Sequence, residues 1–161
     1  MALIFHSCPV LLNPGSTILP GNYGRIIRAI GEAHPLHNRE AVLEQVRAEH
    51  FPDKPSRLDA CFGCSSLEAA RFYVRAMSQK AGGLATWPVI YEVEKTDPHA
   101  VEHRADFNVV QPLPRYSADM SKIAHLYWTA GLWITVSDAP GIRCEEIVTP
   151  SPLRILRKID E

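Results

Sequence analysis

No run of apolar residues in this chain approaches the roughly 20 that a helix needs to cross a bilayer, so no membrane span is expected. Charge of one sign is missing as well. Seventeen Lys and Arg against 18 Asp and Glu leave a formal net charge of -1, which removes a broad basic surface for nucleic acid as the default reading. Cysteine is scarce: Cys8, Cys61, Cys64 and Cys144 are too few, in a chain of 161 residues, for a secreted disulfide scaffold. They read as mostly buried thiols. The apolar start, Met1 to Phe5, is far too short for a signal peptide and lacks a basic leader. A cytoplasmic location is expected, with export by a route that needs no cleaved signal as the alternative. No Gly-x-Gly-x-x-Gly stands between a strand and a helix, which argues against a Rossmann NAD site, and there is no P-loop.

What is present is the composition of a folded globular protein, 46% hydrophobic and 22% charged. The length suits one domain, residues 1–161, with a sizeable core. Leu3 to Phe5 reads as a short strand ending at His6. Leu11 to Arg25, with two Pro-Gly pairs and Gly24, reads as a shaped loop. A helix is predicted over 38–50, capped by Asn38, with Glu40 in its first turn and Ala41, Val42, Val46 and Ala48 on its apolar side. Leu58 to Cys64 reads as a strand. A helix follows to about Gln79, opened by a capping box of Ser65 and Glu68. Gly82-Gly83 breaks the chain, and 88–94 alternates as a strand. A helix over 119–129 should bury Met120, Ile123, Ala124, Tyr127 and Trp128. Strands over 144–149 and 153–159 close the chain. Without regular strand-helix alternation, this order predicts an α+β fold with a mostly antiparallel sheet.

Three segments carry candidate chemistry. His6 ends a strand, where an imidazole can hydrogen-bond a ribose hydroxyl or move a proton. In the second, a strand at 58–64 runs into a capped helix whose Phe72 and Tyr73 could stack on a flat heterocycle, one of them being expected in the core. In the third, Glu145 and Glu146 are neighbours on a strand and so face opposite sides. A carboxylate in a cleft could stabilise the oxocarbenium ion formed when a bond to ribose breaks. Cys61-Phe62-Gly63-Cys64 has the spacing of a metal pair but lacks a second pair, so no metal is expected. The basic run Arg154 to Lys158 reads as a protected sheet edge, with a nucleic-acid enzyme as the competing reading.

Together these segments resemble the ADP-ribosyltransferase superfamily, closest to its small bacterial, poly-ADP-ribose-polymerase-like branch with a His-Tyr-Glu pattern. The matching motifs are Ile4-Phe5-His6-Ser7-Cys8, the stretch from Cys61 to Tyr73, and Glu146-Ile147-Val148-Thr149-Pro150. The resemblance implies a split, mostly antiparallel sheet flanked by helices, and an enzyme that cleaves NAD at the nicotinamide-ribose bond and transfers ADP-ribose. It implies that His6 holds the adenosine-side ribose, that the Ser7 backbone grips the nicotinamide amide, and that Phe72 or Tyr73 stacks on the ring. Glu146 would hold the other ribose and stabilise the transition state. Arg25 is assigned to the pyrophosphate on charge alone, and Asp106 is a rival acid. Ser7 stands where the family has Gly, Cys8 where it has Thr or Ser, and Phe72 at the stacking position where Tyr is commoner. Cys144 stands where branches that modify Asn or Arg carry Gln or Glu, which weakens an arginine target. The acceptor is left open among protein, nucleic acid, a small molecule and water, a macromolecule captured by loops 13–25 or 104–118 being favoured. A toxin or effector role and a drug-modifying role are equally compatible. The competing function is a catalytically inactive nucleotide-binding or protein-interaction module.

Overall fold

The computed structural model describes residues 3–80, 88–110, 119–131, 133 and 143–160. In chain order the elements are β1 (Ile4–Cys8), β2 (Thr17–Ile18), α1 (Asn22–Ile30), α2 (His37–His50), β3 (Cys61–Cys64), α3 (Leu67–Lys80), β4 (Val89–Lys95), β5 (His103–Asp106), α4 (Phe107–Val110), α5 (Met120–Thr129), β6 (Glu145–Thr149) and β7 (Leu153–Lys158). Short 3-10 turns, Gly31–Ala33 and Arg57–Asp59, precede α2 and β3. The strands form one sheet in the order β2-β7-β4-β1-β3-β6-β5, and every pairing is antiparallel. The architecture is α+β with an antiparallel sheet.

Pairing is uneven across that sheet. β1 runs along β4 from Ile4↔Val93 to Cys8↔Val89, and β3 runs along β6 from Cys61↔Thr149 to Cys64↔Glu146. Between β1 and β3 the register holds a single pair, Phe5↔Cys64. The sheet therefore consists of two well-laddered halves joined at one point, and beyond it the seam opens.

Strand alternation divides the core between the two faces. Ile4, Cys61, Tyr91, Val93, Ile147, Leu153 and Ile155 form one cluster, over which the segment after β1 folds: the Tyr91 hydroxyl donates to the Val10 carbonyl and accepts from the Leu12 N–H. On the opposite face Cys64 and Ile90 meet Ala69 and Ala70 of α3. A third cluster joins Leu43 and Val46 of α2 to Ile123, Ala124, Tyr127 and Trp128 of α5, with Phe107, Val109 and Val110 of α4. The Trp128 indole N–H donates to the Leu43 carbonyl at 2.8 Å, so the largest ring in this cluster is satisfied while fully buried.

The predicted helices and the later strands occur close to their expected places. Ile123, Ala124, Tyr127 and Trp128 are buried as expected and Met120 is half-buried; on α2 Val46 is buried, but Ala41 and Ala48 are exposed because the buried stripe runs through Glu40, Leu43 and Val46. Four boundaries differ from expectation. Residues 22–25 are not loop but the first turn of α1. Gly21, with φ of 88°, starts that helix. Gly24 lets the helix lie on the turn before β3, because a Cβ there would fall 1.9 Å from the Leu58 carbonyl oxygen. The strand expected from Leu58 begins only at Cys61, the preceding residues forming the 3-10 turn. Asn38 makes no cap: α2 starts at His37, one residue earlier. The cap of α3 is Ser66, whose Oγ accepts from the Ala69 N–H, not Ser65. The short elements β2, β5 and α4 were below the reach of periodicity. The Gly82-Gly83 break and residues 111–118 of the second expected capture loop lie outside the described residues. Among the described residues no helix is long and apolar enough to cross a membrane.

Candidate functional site

The open seam is where chemistry-bearing side chains collect. Phe5, Cys64 and Glu146 are in register across β1, β3 and β6 and so share one face. His6 lies in the middle of β1 and not at its end, since the ladder with β4 continues to Cys8; it alternates to the other face, opposite Tyr91, and its Nδ1 lies 2.7 Å from the Phe62 carbonyl across the seam. Since a carbonyl only accepts, Nδ1 carries the proton and donates, which leaves Nε2 as an acceptor. Burial lowers the His6 pKa, with the Phe62 hydrogen bond acting in the opposite direction. Opposite Ser7, Ile90 gives its carbonyl to the Ile159 N–H. In an antiparallel ladder Ser7 then faces Ile90 as a non-bonded pair and turns its own backbone N–H and C=O towards the seam.

Glu145 and Glu146 do face opposite sides. Glu145 pairs with Arg104 at 3.2 Å in a half-buried position. Glu146 is buried and meets a second set of partners. Its Oε1 accepts from the Tyr127 hydroxyl at 2.6 Å and from the Arg57 Nη1. Arg57 in turn donates from Nε to Glu40 Oε2 at 3.0 Å and from Nη1 to the Tyr127 hydroxyl at 2.6 Å. Its guanidinium carbon lies 5.0 Å from the ring centres of both Phe62 and Tyr127. Glu40 Oε1 also accepts from Tyr23 at 3.0 Å and from Arg39 at 2.7 Å. Two carboxylates and two guanidiniums thus balance, which is the condition for burying them at all. Burial alone would push Glu40 up, but the charges and hydrogen bonds of Arg57 and Arg39 bring its carboxyl below the usual range. Burial would lower Arg57, but Glu146 and Glu40 carry it well above the ordinary arginine value. Tyr127 is raised by burial, with the Arg57 charge acting against the shift.

This network forms one wall of a cavity of about 260 Å³. His6 and Ser7 line it from β1, Phe62 and Cys64 from β3, and Tyr73 from α3, which packs edge-on against Phe107 with ring centres 4.7 Å apart. Tyr23, Arg39, Arg57 and Glu146 line it as well, with Phe5, Leu36, Gly63 and Phe107. Tyr23 meets Phe62 edge-on at 5.3 Å. Burial, then the charge of Glu146, raises the Tyr73 hydroxyl above its ordinary value, so it is a neutral donor at physiological pH. Phe and Tyr rings supply much of the cavity wall, with a carboxylate, two guanidiniums and an imidazole at fixed points. Rings with a few placed polar groups suit a small molecule, and the volume lies a little below the usual lower bound of about 300 Å³.

Of the residues singled out in the sequence, His6, Ser7, Tyr73 and Glu146 line this cavity and three do not. Arg25 is exposed on α1 and donates to its neighbour Asn22. Phe72 packs against the cluster formed by α2, α4 and α5. Asp106 is opposite Glu145 in the ladder, hence on the face away from Glu146, and accepts from the Asn108 N–H. Cys144 is buried, 3.9 Å from the Ala69 carbonyl. Cys61 and Cys64 belong to clusters on opposite sheet faces and do not converge on one point. Among the described residues no group of three potential ligands could hold a metal ion. Of the basic run, Arg154 and Arg157 pair with Glu94 and Glu92 on the neighbouring strand.

Sequence reasoning passed over Arg57, Glu40, Arg39 and Tyr23. One signal was present. Glu40 stands three and six residues before Leu43 and Val46, on the stripe that the structure buries, and a carboxylate there requires a cation. Nothing local points to Arg57, because its partners come from α2, α5 and β6.

None of the curated proteins matches the chain. Residues 15–141 match the model of the family described as "Protein of unknown function (DUF2441)", a segment that holds α1 to α5 but ends before β6 and Glu146. With well over half of its length matched, the chain belongs to that family.

Proposed function

We propose that this protein is an NAD-dependent ADP-ribosyltransferase, with the fold of that superfamily, that takes NAD as its substrate. The observation that carries the reading is the convergence of His6, Tyr73 and Glu146, from three distant segments, on one aromatic cavity at the open seam of an antiparallel sheet.

The roles follow from the groups each residue offers. The nicotinamide ring lies against Tyr73 beside Phe107, and the Ser7 backbone meets its amide. Glu146 faces the attached ribose. His6 accepts a hydroxyl from the second ribose at Nε2, since Nδ1 is committed to Phe62. Arg39 replaces Arg25 as the pyrophosphate partner: it lines the cavity and Arg25 does not. The cavity takes the nicotinamide riboside half, and the adenosine extends towards the surface. When the glycosidic bond breaks, its electron pair leaves with nicotinamide, which becomes neutral, and positive charge develops on the ribose. The buried Glu146 carboxylate stabilises that charge from a fixed position. An acceptor lone pair then forms the new bond and loses its proton to solvent. Cys144, buried beside the Ala69 carbonyl, is not placed to orient an arginine acceptor; a macromolecule held by surface loops is the favoured acceptor.

One observation favours the second reading, an inactive nucleotide-binding module: Glu146 is paired with the Arg57 guanidinium, which offsets the negative charge the reaction needs. Nicotinamide release from NAD separates the two. The wild type should release nicotinamide, and Glu146→Gln should lose on the order of a hundredfold of that rate. An NAD-dependent rise in melting temperature without release would establish the binding module instead.

A further inference from the structure

Glu146 is held asymmetrically. Every hydrogen bond that reaches it from the described residues ends on one oxygen, Oε1, from Tyr127 and Arg57. Arg57 is itself fixed on all sides. Its Nε and Nη2 grip both oxygens of Glu40, at 3.0 and 3.4 Å. Phe62 and Tyr127 lie over its guanidinium. The turn that carries it is clamped by the close approach of Gly24 to Leu58. A planar fork with this many fixed contacts has one orientation, and so does the carboxylate that it holds.

We infer that Arg57 is the positioning residue of the site: by engaging Glu146 Oε1 it turns Oε2 towards the cavity, where the ribose of a bound dinucleotide would meet it. This rests on the reading of the cavity as an NAD site. It also accounts for the pairing that favours an inactive module, since the guanidinium takes one oxygen and leaves the other to the substrate. A salt bridge kept only for stability would have no need to border the cavity. Arg57 and Glu146 both line it.

Nicotinamide release is measured with Arg57→Lys and with the double variant Arg57→Gln/Glu40→Gln, alongside NAD binding by calorimetry. Lysine keeps the charge but has no fork. The double variant removes one positive and one negative charge, so the buried site stays balanced if the single change fails to fold. In Arg57→Lys, NAD is expected to bind within about threefold of the wild-type Kd while kcat falls on the order of tenfold or more, a split that mere loosening of the fold would not produce; the double variant, in which Arg39 also loses Glu40, is read by the same fall in kcat alone. A folded variant whose kcat stays within about twofold of wild type would show Arg57 to be structural only. A wild type that releases no nicotinamide would overturn the NAD reading itself and this inference with it, and is distinguished by the absence of any rate to compare.

Discussion

Glu145 and Glu146 are chemically identical neighbours with different fates. Strand alternation alone separates them, one to a half-buried pair with Arg104, the other to the cavity. That much could be read from two letters on a strand. What Glu146 meets on its side could not, because Arg57 and Tyr127 are 89 and 19 residues away in sequence. His103 shows a similar contrast. It is 2% exposed and donates from Nε2 to the Tyr127 carbonyl. Burial, helped by the Lys54 charge, lowers its pKa to about 4 from 6.5. The unfolded chain therefore binds this proton at higher pH than the folded one. Its contribution is complete above about pH 6.5 and is lost as the pH falls towards 4, with a slope of up to about 1.4 kcal/mol per unit. Melting temperature measured across that window should fall less steeply with acid in His103→Gln, which keeps a donor but cannot titrate. Parallel curves would show that the histidine is not the group responsible.

At the scale of elements, the helices were the most legible parts and their ends the least. Asp119 caps α5 by accepting from the Lys122 N–H, at the position where the sequence pattern begins that helix. For α3 the sequence pattern favours Ser65, with Glu68 three residues on, and the structure gives the cap to Ser66. Ser66→Ala should therefore cost about 1 kcal/mol in chemical denaturation, while Ser65→Ala should be near neutral. The reverse order would move the start of α3 back by one residue. α1 was missed for a tertiary reason. Its glycine at position 24 reads as a breaker, yet the residue serves a contact with Leu58 across more than thirty positions, which no local pattern encodes.

At the scale of the whole molecule, the buried ion network ties α2, the turn before β3, α5 and β6 into one unit. Buried pairs of this kind add little net stability when intact, but removing one member strands the others. Glu40→Gln takes the carboxylate partner from Arg39 and leaves Arg57 with Glu146 alone, and should destabilise by about 3 kcal/mol in urea unfolding with the m-value unchanged. A loss below about 1 kcal/mol would mean that water or a counterion replaces it. The sequence by itself determined the α+β class, the main helices and strands, the buried face of α5 and the opposite facing of the two glutamates, because periodicity and alternation are local properties of the chain. The tertiary structure alone decided that β1 and β3 meet at one residue pair, that Tyr73 and not Phe72 faces the opening, and that Arg57 takes hold of Glu146. Register, seams and charge partners are set by the packing of distant segments, and short-range patterns carry no record of them.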